Sequence, residues 1–257
     1  MDYIEIQGDR VPAIGFGTWQ LAGDAAREGV RHALELGYRH IDTAQAYGNE
    51  AEVGRAIKES GVARDEVFIT TKLRREELAG DRVGPVTDES LRRLDSGYID
   101  LLLIHWPSEE VPLKVTLDAM VEQQEAGKVR HIGVSNFRTS LLNEAMAHTR
   151  IFTDQVPYQP GRTQRGLCEV ARTEDVLLTA YSPLRGRGVA DETIEAIAAE
   201  HGKTAAQVVL RWLVQQPNVS PIPRSANPDH RAANLDIFDF SLTDDDMARI
   251  HALAEPT

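Results

Sequence analysis

Residues 25–71 read AAREGVRHALELGYRHIDTAQAYGNEAEVGRAIKESGVARDEVFITT, and the spacing of their apolar residues alternates between two patterns. Over 25–36 and 50–59 the apolar residues recur at the spacing of one face of an α-helix. The short apolar runs at 39–43 and 67–71 are instead typical of strands buried in a parallel sheet. This stretch therefore predicts two consecutive helix–strand pairs.

The same alternation continues along the chain. It predicts strands at 14–17, 39–43, 67–71, 100–104, 129–134, 151–155, 176–180 and 219–222. Helices are predicted at 25–36, 50–59, 87–94, 113–124, 140–147, 191–200, 204–215 and 243–253, so that two of them separate the last two strands. Before the alternation begins, residues 3–7 and 11–14 flank a Gly8-Asp9 turn, which predicts a β-hairpin.

Eight strands that alternate with helices indicate an α/β protein. The pattern favours a closed (β/α)8 TIM barrel with an N-terminal β-hairpin and additional C-terminal helices. An open, doubly wound sheet is the alternative architecture. No linker or low-complexity segment divides the chain, so we predict a single domain over residues 1–257.

The overall charge limits the partners that we expect. The net charge is −12 and the sequence pI is about 5.1, so neither nucleic acid nor an anionic membrane would attract this chain. An anionic ligand would therefore need a locally basic pocket. Cys168 is the one cysteine, and neither a signal peptide nor a membrane-spanning run is recognisable. We expect a cytoplasmic monomer that acts on a small molecule.

Polar residues gather where the predicted strands end, which is the functional face of a barrel. Four of them suit the reduction of a carbonyl group, in which hydride transfer leaves an alkoxide that must be protonated. Tyr47 would be the general acid, and the Lys72 ammonium would lower the pKa of its phenol. Asp42 would hold Lys72 charged and oriented, and His105 would position the carbonyl oxygen by a hydrogen bond.

Simpler interpretations of these residues stay open when each is taken alone. His105 could be a packing residue, Asp42 and Lys72 a buried ion pair, and Tyr47 a surface tyrosine of a loop. A metal site is not expected, because no paired spacing such as HExxH occurs. A Rossmann site is not expected either, because Gln20 stands where the third glycine after Gly15 and Gly17 would be.

Longer segments resemble the aldo-keto reductase family across nearly the whole chain. They are IGFGTW (14–19), GYRHIDTA (37–44), YGNE (47–50), TTKL (70–73), DLLLIHWP (100–107), GKVRHIGVSNF (127–137), AYSPL (180–184), AQV with LRW (206–212) and IPRS (222–225). Within the family, the chain is most similar to bacterial reductases of 2,5-diketo-D-gluconate and methylglyoxal. The resemblance implies a TIM barrel that reduces small aldehydes, ketones or keto sugar acids to alcohols with NADPH, or alternatively NADH.

The resemblance also assigns residues to both ligands. Ser135, Asn136 and Gln155 would hold the nicotinamide carboxamide, Tyr181 would stack on its ring, and residues 182–184 would cover the pyrophosphate. The complete implied set of cofactor contacts is Thr18, Asp42, Ser135, Asn136, Gln155, Tyr181, Ser182, Leu184, Arg224, Ser225, His230 and Asn234. The implied substrate contacts are Trp19, Tyr47, Arg74, His105 and Trp106.

Several positions depart from the family pattern. The family usually has Lys at Arg224 and Arg at His230, so we expect a weaker preference for NADPH, although the neighbouring Arg231 could compensate. Asp154 replaces a common Asn. Arg74 stands where many members have an aromatic residue, and it could receive the carboxylate of a small keto acid. Its alternative role is that of a surface arginine paired with Glu76 or Glu77.

Two other functions compete with that of a reductase. One is a cofactor-binding regulatory subunit with little metabolic turnover, since a fold alone does not determine function. The set formed by Asp42, Tyr47, Lys72 and His105 favours an enzyme. The other is a barrel enzyme of a different class, such as an isomerase or a phosphatase, which would need metal ligands that the sequence does not show.

Overall fold

The computed structural model describes residues 2–253, apart from the side chains at positions 187 and 188. Met1 and residues 254–257, which the single-domain prediction also covers, lie outside the described residues. An antiparallel hairpin of β1 (Tyr3–Ile6) and β2 (Asp9–Pro12) comes first. One parallel sheet follows, made of β3 (Phe16–Gly17), β4 (His40–Asp42), β5 (Phe68–Leu73), β6 (Ile99–Ile104), β7 (Val129–Ser135), β8 (Thr153–Pro157), β9 (Leu177–Tyr181) and β10 (Val219–Pro221).

Helices connect the strands of this sheet. They are α1 (Gly23–Leu36), α2 (Glu50–Ser60), α3 (Gly80–Leu94), α4 (Leu113–Glu125), α5 (Thr139–His148), α6 (Arg165–Thr173), α7 (Glu192–His201), α8 (Ala205–Val214), α9 (Pro228–Leu235) and α10 (Asp244–His251). The strands pair in sequence order from β3 to β10, which confirms the predicted (β/α)8 architecture with its hairpin and its C-terminal helices. Between residues 2 and 253, every helix is too short or too polar to cross a membrane.

Backbone hydrogen bonds bring the two edges of the parallel sheet together. The amide of Gly15 donates to the carbonyl of Pro221 over 2.9 Å, and that of Gly17 donates to Pro223 over 3.1 Å. A Cβ at Gly15 would lie 2.9 Å from Cγ2 of Ile222, just after β10, and a Cβ at Gly17 would lie 2.9 Å from the carbonyl oxygen of Ile222. The two glycines therefore allow the close approach that joins the first strand to the last.

Local sequence accounts for the ends of several helices. Thr204 and Gln207 form a capping box at the start of α8, and the left-handed Gly37 (φ 106°) ends α1. The predicted start of the third helix at Thr87 is wrong, because α3 begins at Gly80 and continues through Pro85. Proline normally interrupts a helix, but the buried face that continues from Val83 to Leu94 stabilises this one.

The hairpin closes the end of the barrel where the strands begin. Ile6 and Val11 of the hairpin are fully buried against Leu101 and Leu103 of β6 and against Phe152, just before β8. A larger apolar cluster fills the space between the sheet and the helices. Because one end of the barrel is covered in this way, a ligand is expected at the other end, where the strands terminate.

Candidate active site

A cleft of about 850 Å³ opens where the parallel strands end. It is lined by Gly17, Trp19, Gln20, Asp42, Ala46, Tyr47, His105, Trp106, Ser135, Asn136, Gln155, Tyr181, Ser182, Pro183, Leu184, Arg185, Ile222, Pro223 and Arg224. The fold thus brings most of the residues predicted for catalysis, cofactor and substrate to one cavity. A groove of this size is in the range of cavities that enclose small organic ligands.

A buried ion pair lies at the base of the cleft. Lys72, from β5, is completely buried, and its Nζ lies 2.7 Å from Oδ1 of Asp42 at the end of β4. The same ammonium donates to the carbonyl of Thr43 over 2.7 Å and to the hydroxyl of Tyr47 over 3.4 Å. A buried ammonium needs such partners, because desolvation without them would favour its neutral form.

Tyr47 reaches the cleft from a short 3₁₀ turn, Gln45–Tyr47, between β4 and α2. The amide of Tyr47 donates to the carbonyl of Ala44 over 3.0 Å, and Gly48, at φ 66°, ends the turn. The ring of Tyr47 meets that of His105 edge to face, with 5.7 Å between the centroids. The four residues predicted for catalysis therefore form one contiguous group.

The electrostatic balance at Tyr47 differs from the expectation that Lys72 would lower its pKa. Burial raises the pKa of the phenol more than the Lys72 ammonium lowers it, so the net direction is upward. Burial alone would lower the pKa of Lys72, but Asp42 and Tyr47 together raise it above its ordinary value. The cleft therefore holds a neutral phenol beside a charged ammonium.

His105 is neutral at physiological pH. Burial first, and then the charge of Lys72, lowers the pKa of its imidazole to about 4. A neutral imidazole can donate one hydrogen bond from a ring nitrogen, but it is not a proton-carrying acid at pH 7. Tyr47 is thus better suited than His105 to deliver a proton.

Polar groups predicted for the nicotinamide end form a connected network. The hydroxyl of Tyr181 donates to Oδ1 of Asn136 over 2.8 Å, and Nδ2 of Asn136 donates to the hydroxyl of Ser135 over 3.0 Å. Ser135 in turn donates to the carbonyl of Gln155 over 2.8 Å. Asn136 has a left-handed backbone (φ 64°), which turns its amide toward the cleft. The network presents both donors and acceptors, as a carboxamide requires.

Arg224, just after β10, also lines the cleft. Its Nε donates to the carbonyl of Trp19 over 3.1 Å and its Nη2 to Oε1 of Gln20 over 2.6 Å. Both partners are uncharged, so the guanidinium keeps its full positive charge for an anion. The cleft thus combines a polar network with a guanidinium that has no carboxylate partner in the described structure.

Some predicted cofactor residues do not line the cleft. Thr18 is buried and its hydroxyl donates to the carbonyl of Asp42 over 2.9 Å, whereas the Ser225 hydroxyl donates to the carbonyl of Asn227 over 3.2 Å. His230, exposed, and Asn234, buried, both belong to α9. Their roles in cofactor binding stay predictions.

The guanidinium of Arg231, next to His230, is engaged in hydrogen bonds within the protein. It is buried, and its Nη1 donates to the carbonyls of Ser225 and Ala226, each over 3.0 Å. Its Nε lies 3.2 Å from Nδ1 of His32. Arg231 would have to break these hydrogen bonds before it could bind the 2′-phosphate of NADPH in place of the arginine that the family usually has at position 230.

The predicted substrate residues are divided between the cleft and its surroundings. Trp19 and Trp106 border the cleft with 46% and 44% of their surface exposed, which leaves apolar area for a ligand. Arg74 is exposed and does not line the cleft, and its Nη2 donates to the carbonyl of Gln45 over 2.6 Å. In the described structure it pairs with neither Glu76 nor Glu77.

Sequence reasoning did not single out all residues of the cleft. Gln20 and Arg185 each adjoin a predicted contact, Trp19 and Leu184 respectively, and that adjacency is the signal that could have found them. Ile222 and Pro223 belong to the IPRS segment, and Ala46 lies between two of the quoted segments. Among residues 2–253, no group of three or more His, Cys, Asp or Glu side chains is arranged to hold a metal ion.

Comparisons with known proteins agree with this geometry. The profile of the Aldo/keto reductase family matches residues 13–255. An aldo-keto reductase of Mycolicibacterium smegmatis is 41% identical over 250 residues, which cover 96% of this chain and 90% of that protein. The methylglyoxal reductase DkgB of Salmonella typhimurium is 41% identical over 249 residues, 95% and 93% of the two chains.

Solved structures show the same similarity. A crystal structure that bears the name 2,5-diketo-D-gluconic acid reductase B superimposes with a TM-score of 0.97 at 44% identity, covering 100% of this chain and 92% of the other. The Bombyx mori aldo-keto reductase, solved in complex with NADP, has a TM-score of 0.92 at 33% identity and covers 98% and 92% of the two chains.

Proposed function

The chain belongs to the aldo/keto reductase family, and from that premise we propose that it reduces small aldehydes, ketones or keto sugar acids to alcohols with NADPH. Tyr47 is the general acid of this proposal, and Lys72, Asp42 and His105 support it. The reductase names of several relatives favour turnover over the role of a regulatory subunit.

The nicotinamide cofactor supplies a hydride to the carbonyl carbon when it is bound. The chain's contribution is to orient both reactants. The network of Ser135, Asn136 and Gln155 suits the carboxamide, and the half-buried Tyr181 offers a ring for stacking. Arg224, without a carboxylate partner in the described structure, suits a phosphate of the cofactor.

One observation carries the proposal: the ammonium of Lys72 lies 3.4 Å from the hydroxyl of Tyr47 in a cleft. The neutral phenol holds the proton until negative charge develops on the carbonyl oxygen of the substrate. Once it donates that proton, the phenolate is stabilised by Lys72, whose own charge is maintained by Asp42. Because this stabilisation appears only as charge develops, it favours the transition state over the bound substrate.

Besides Tyr47, His105 can contact the carbonyl oxygen of the substrate. Neutral His105 has one ring N–H to donate, so it can orient the carbonyl without competing as an acid. Trp19 and Trp106 offer apolar surface beside this pair. A small carbonyl compound with a short carbon chain fits such a site.

The proposal is tested by following the oxidation of NADPH with methylglyoxal as substrate. The wild-type chain should turn over, and Tyr47→Phe should lower kcat by about 100- to 10,000-fold because it lacks the proton donor. NADPH binding, followed by its fluorescence, should be unchanged in Tyr47→Phe. Tyr3→Phe, at an exposed tyrosine of the hairpin, is the matched control and should behave as the wild type.

Two results would contradict the proposal. A Tyr47→Phe variant that kept more than about half of the wild-type kcat would remove Tyr47 from the role of general acid. A wild-type chain that bound NADPH but reduced none of a panel of aldehydes, ketones and keto sugar acids would argue for a non-catalytic role.

A further inference from the structure

The turn that carries Tyr47 is anchored to the rest of the protein by Gln45. Among the residues of this 3₁₀ turn, Gln45–Tyr47, only Gln45 is buried. Ala46 and Gly48, on either side of Tyr47, are exposed, so neither of them packs into the protein. The location of the Tyr47 side chain therefore depends on what holds Gln45.

The side chain of Gln45 uses both of its polar atoms. Its Oε1 accepts from the backbone amide of Arg74 over 3.2 Å. Its Nε2 donates to the hydroxyl of Ser90 over 3.0 Å and to the carbonyl of Val86 over 3.2 Å, both in α3. Arg74 directly follows β5, the strand that contains Lys72. The buried amide thus connects the turn of Tyr47 to the strand of Lys72 and to the helix behind it.

Arg74 completes this connection with its own side chain. Its Nη2 donates to the backbone carbonyl of Gln45 over 2.6 Å, and the same carbonyl accepts from the amide of Gly48 over 3.2 Å, which closes the turn around Tyr47. Arg74 and Gln45 therefore hold each other reciprocally, the backbone of each bonded to the side chain of the other. A hydrogen bond from a guanidinium is about twice as strong as one between neutral groups.

The hydroxyl of Tyr47 lies near the limit of what Lys72 can reach. Nζ of Lys72 donates to it over 3.4 Å, whereas most N–H···O hydrogen bonds measure about 2.7–3.2 Å. A small displacement of the turn away from β5 would therefore break this hydrogen bond. Because an ammonium stabilises a phenolate less as their separation grows, the displacement would slow proton donation.

We propose that Gln45 and Arg74 are positioning residues, which hold the phenol of Tyr47 within hydrogen-bonding distance of Lys72 through their reciprocal hydrogen bonds. This inference rests on the proposed function, because it concerns the same proton donor. The network of Ser135 and Gln155 lies at the ends of β7 and β8, so the loss of the pair should spare cofactor binding. Binding of a substrate carboxylate by Arg74 is the competing role, and it predicts different kinetics.

Steady-state reduction of methylglyoxal with NADPH provides the test. Arg74 is exposed, so Arg74→Ala should fold, and it should lower kcat about tenfold while leaving both KM values nearly unchanged. Arg74→Lys can donate to the same carbonyl and should recover part of the loss. Gln45→Met removes every hydrogen bond of that side chain and should lower kcat about 100-fold. Arg75→Ala, at the exposed neighbour, is the matched control and should behave as the wild type.

A double variant shows whether Arg74 acts through Tyr47. If it does, Tyr47→Phe/Arg74→Ala should have the kcat of Tyr47→Phe alone, since a phenol that is absent cannot be misplaced. A further tenfold loss in the double variant would overturn the proposal.

The kinetics of the single variants separate the remaining outcomes. If Arg74→Ala raises KM for 2,5-diketo-D-gluconate and leaves kcat for methylglyoxal unchanged, Arg74 binds the substrate and the proposal is overturned. Wild-type kinetics of Arg74→Ala with both substrates would overturn it as well. Failure of the proposed function would instead be seen in Tyr47→Phe, as activity that persists without the phenol, whatever the behaviour of Arg74→Ala.

Discussion

Gln155 donates a hydrogen bond from its Nε2 to Oδ2 of Asp42 over 2.7 Å, although 113 positions separate the two residues. The other carboxylate oxygen of Asp42 accepts from Lys72 over 2.7 Å. A single buried carboxylate thus joins the ammonium beside Tyr47 to the network predicted for the nicotinamide. Any change at Gln155 should therefore affect both the ion pair and the cofactor site.

Gln155→Glu tests this link by placing a second carboxyl group against Asp42. Two adjacent acids repel each other when both are ionised, so the introduced carboxyl group should titrate above its unfolded value in the folded protein. A raised folded pKa means that stability is present at low pH and lost as pH rises through that pKa. The free energy of unfolding should fall between pH 5 and pH 8 by about 1.4 kcal/mol per unit of raised pKa. Gln155→Met should lower the free energy of unfolding by an amount that does not depend on pH.

Lys72→Met separates the structural role of the ion pair from its catalytic role. Removing one partner leaves Asp42 buried and unpaired, so we expect a loss of about 3–5 kcal/mol in the free energy of unfolding, along with a large drop in kcat. The double variant Lys72→Met/Asp42→Asn removes both charges and should recover much of the stability but none of the activity. Urea denaturation and steady-state kinetics measure the two effects. Recovery of activity in the double variant would argue against a role for the ammonium.

Asp154 should make the wild-type chain less stable as pH rises. It is fully buried in β8, its Oδ1 accepts only a long 3.5 Å bond from the amide of Phe137, and its Oδ2 has no hydrogen-bond partner in the described structure. Burial raises its pKa well above the ordinary value of a carboxyl group. The contribution of Asp154 to the free energy of unfolding is therefore largest below the pKa that this group has in the unfolded chain. That contribution is lost as pH rises through the higher pKa that the group has in the folded protein.

Asp154→Asn removes this titration while keeping the shape of the side chain. The variant should be more stable than the wild type at pH 8, by about 1–3 kcal/mol, and the difference should shrink toward pH 4. Chemical denaturation across this pH range provides the measurement. Asp65→Asn, at an exposed position, controls for the loss of a charge and should leave the pH dependence unchanged. Parallel curves for Asp154→Asn and the wild type would show that Asp154 does not titrate in this range.

His230→Arg should increase the preference for NADPH over NADH. His230 is exposed on α9, and the neighbouring Arg231 is engaged with the carbonyls of Ser225 and Ala226. A new guanidinium at 230 can grip the 2′-phosphate, so we expect the ratio of the two kcat/KM values to rise about 3- to 10-fold. The NADH constant serves as the internal control because NADH lacks that phosphate. An unchanged ratio would mean that position 230 does not reach the phosphate.

Much of the fold could be predicted from periodicity alone. The continuous apolar run of β6 and the alternation of the hairpin are local patterns, and the structure confirms both. The start of α3 was missed because Gly84 and Pro85 are local helix breakers, whereas packing of its buried face decides the outcome. The short helices α6 and α9 were not singled out; the residues that α9 buries are Arg231 and Asn234, which leave no apolar period in the sequence. Tertiary contacts therefore account for the differences.

The sequence identified most residues of the site, but it did not predict the direction of their pKa shifts or all of their hydrogen bonds. Strand ends pointed to Asp42, Lys72 and His105, because such ends meet on one face of a barrel. The net rise of the Tyr47 pKa depends on how deeply the phenol is buried, which no local pattern encodes. The engagement of Arg231 with the loop at Ser225 likewise depends on distant parts of the chain, including His32.

The joining of the first parallel strand to the last has a consequence for synthesis on the ribosome. Arg224 donates to the carbonyl of Trp19, 205 positions earlier, so the cleft is built from residues that are synthesised far apart in time. A nascent chain that still lacks β10 leaves the edge of β3 unpaired, with Gly15 and Gly17 offering free amides. Until β10 has been made, that edge is a template for pairing with another chain. The growing polypeptide is therefore most vulnerable to aggregation just before it can first bind a ligand.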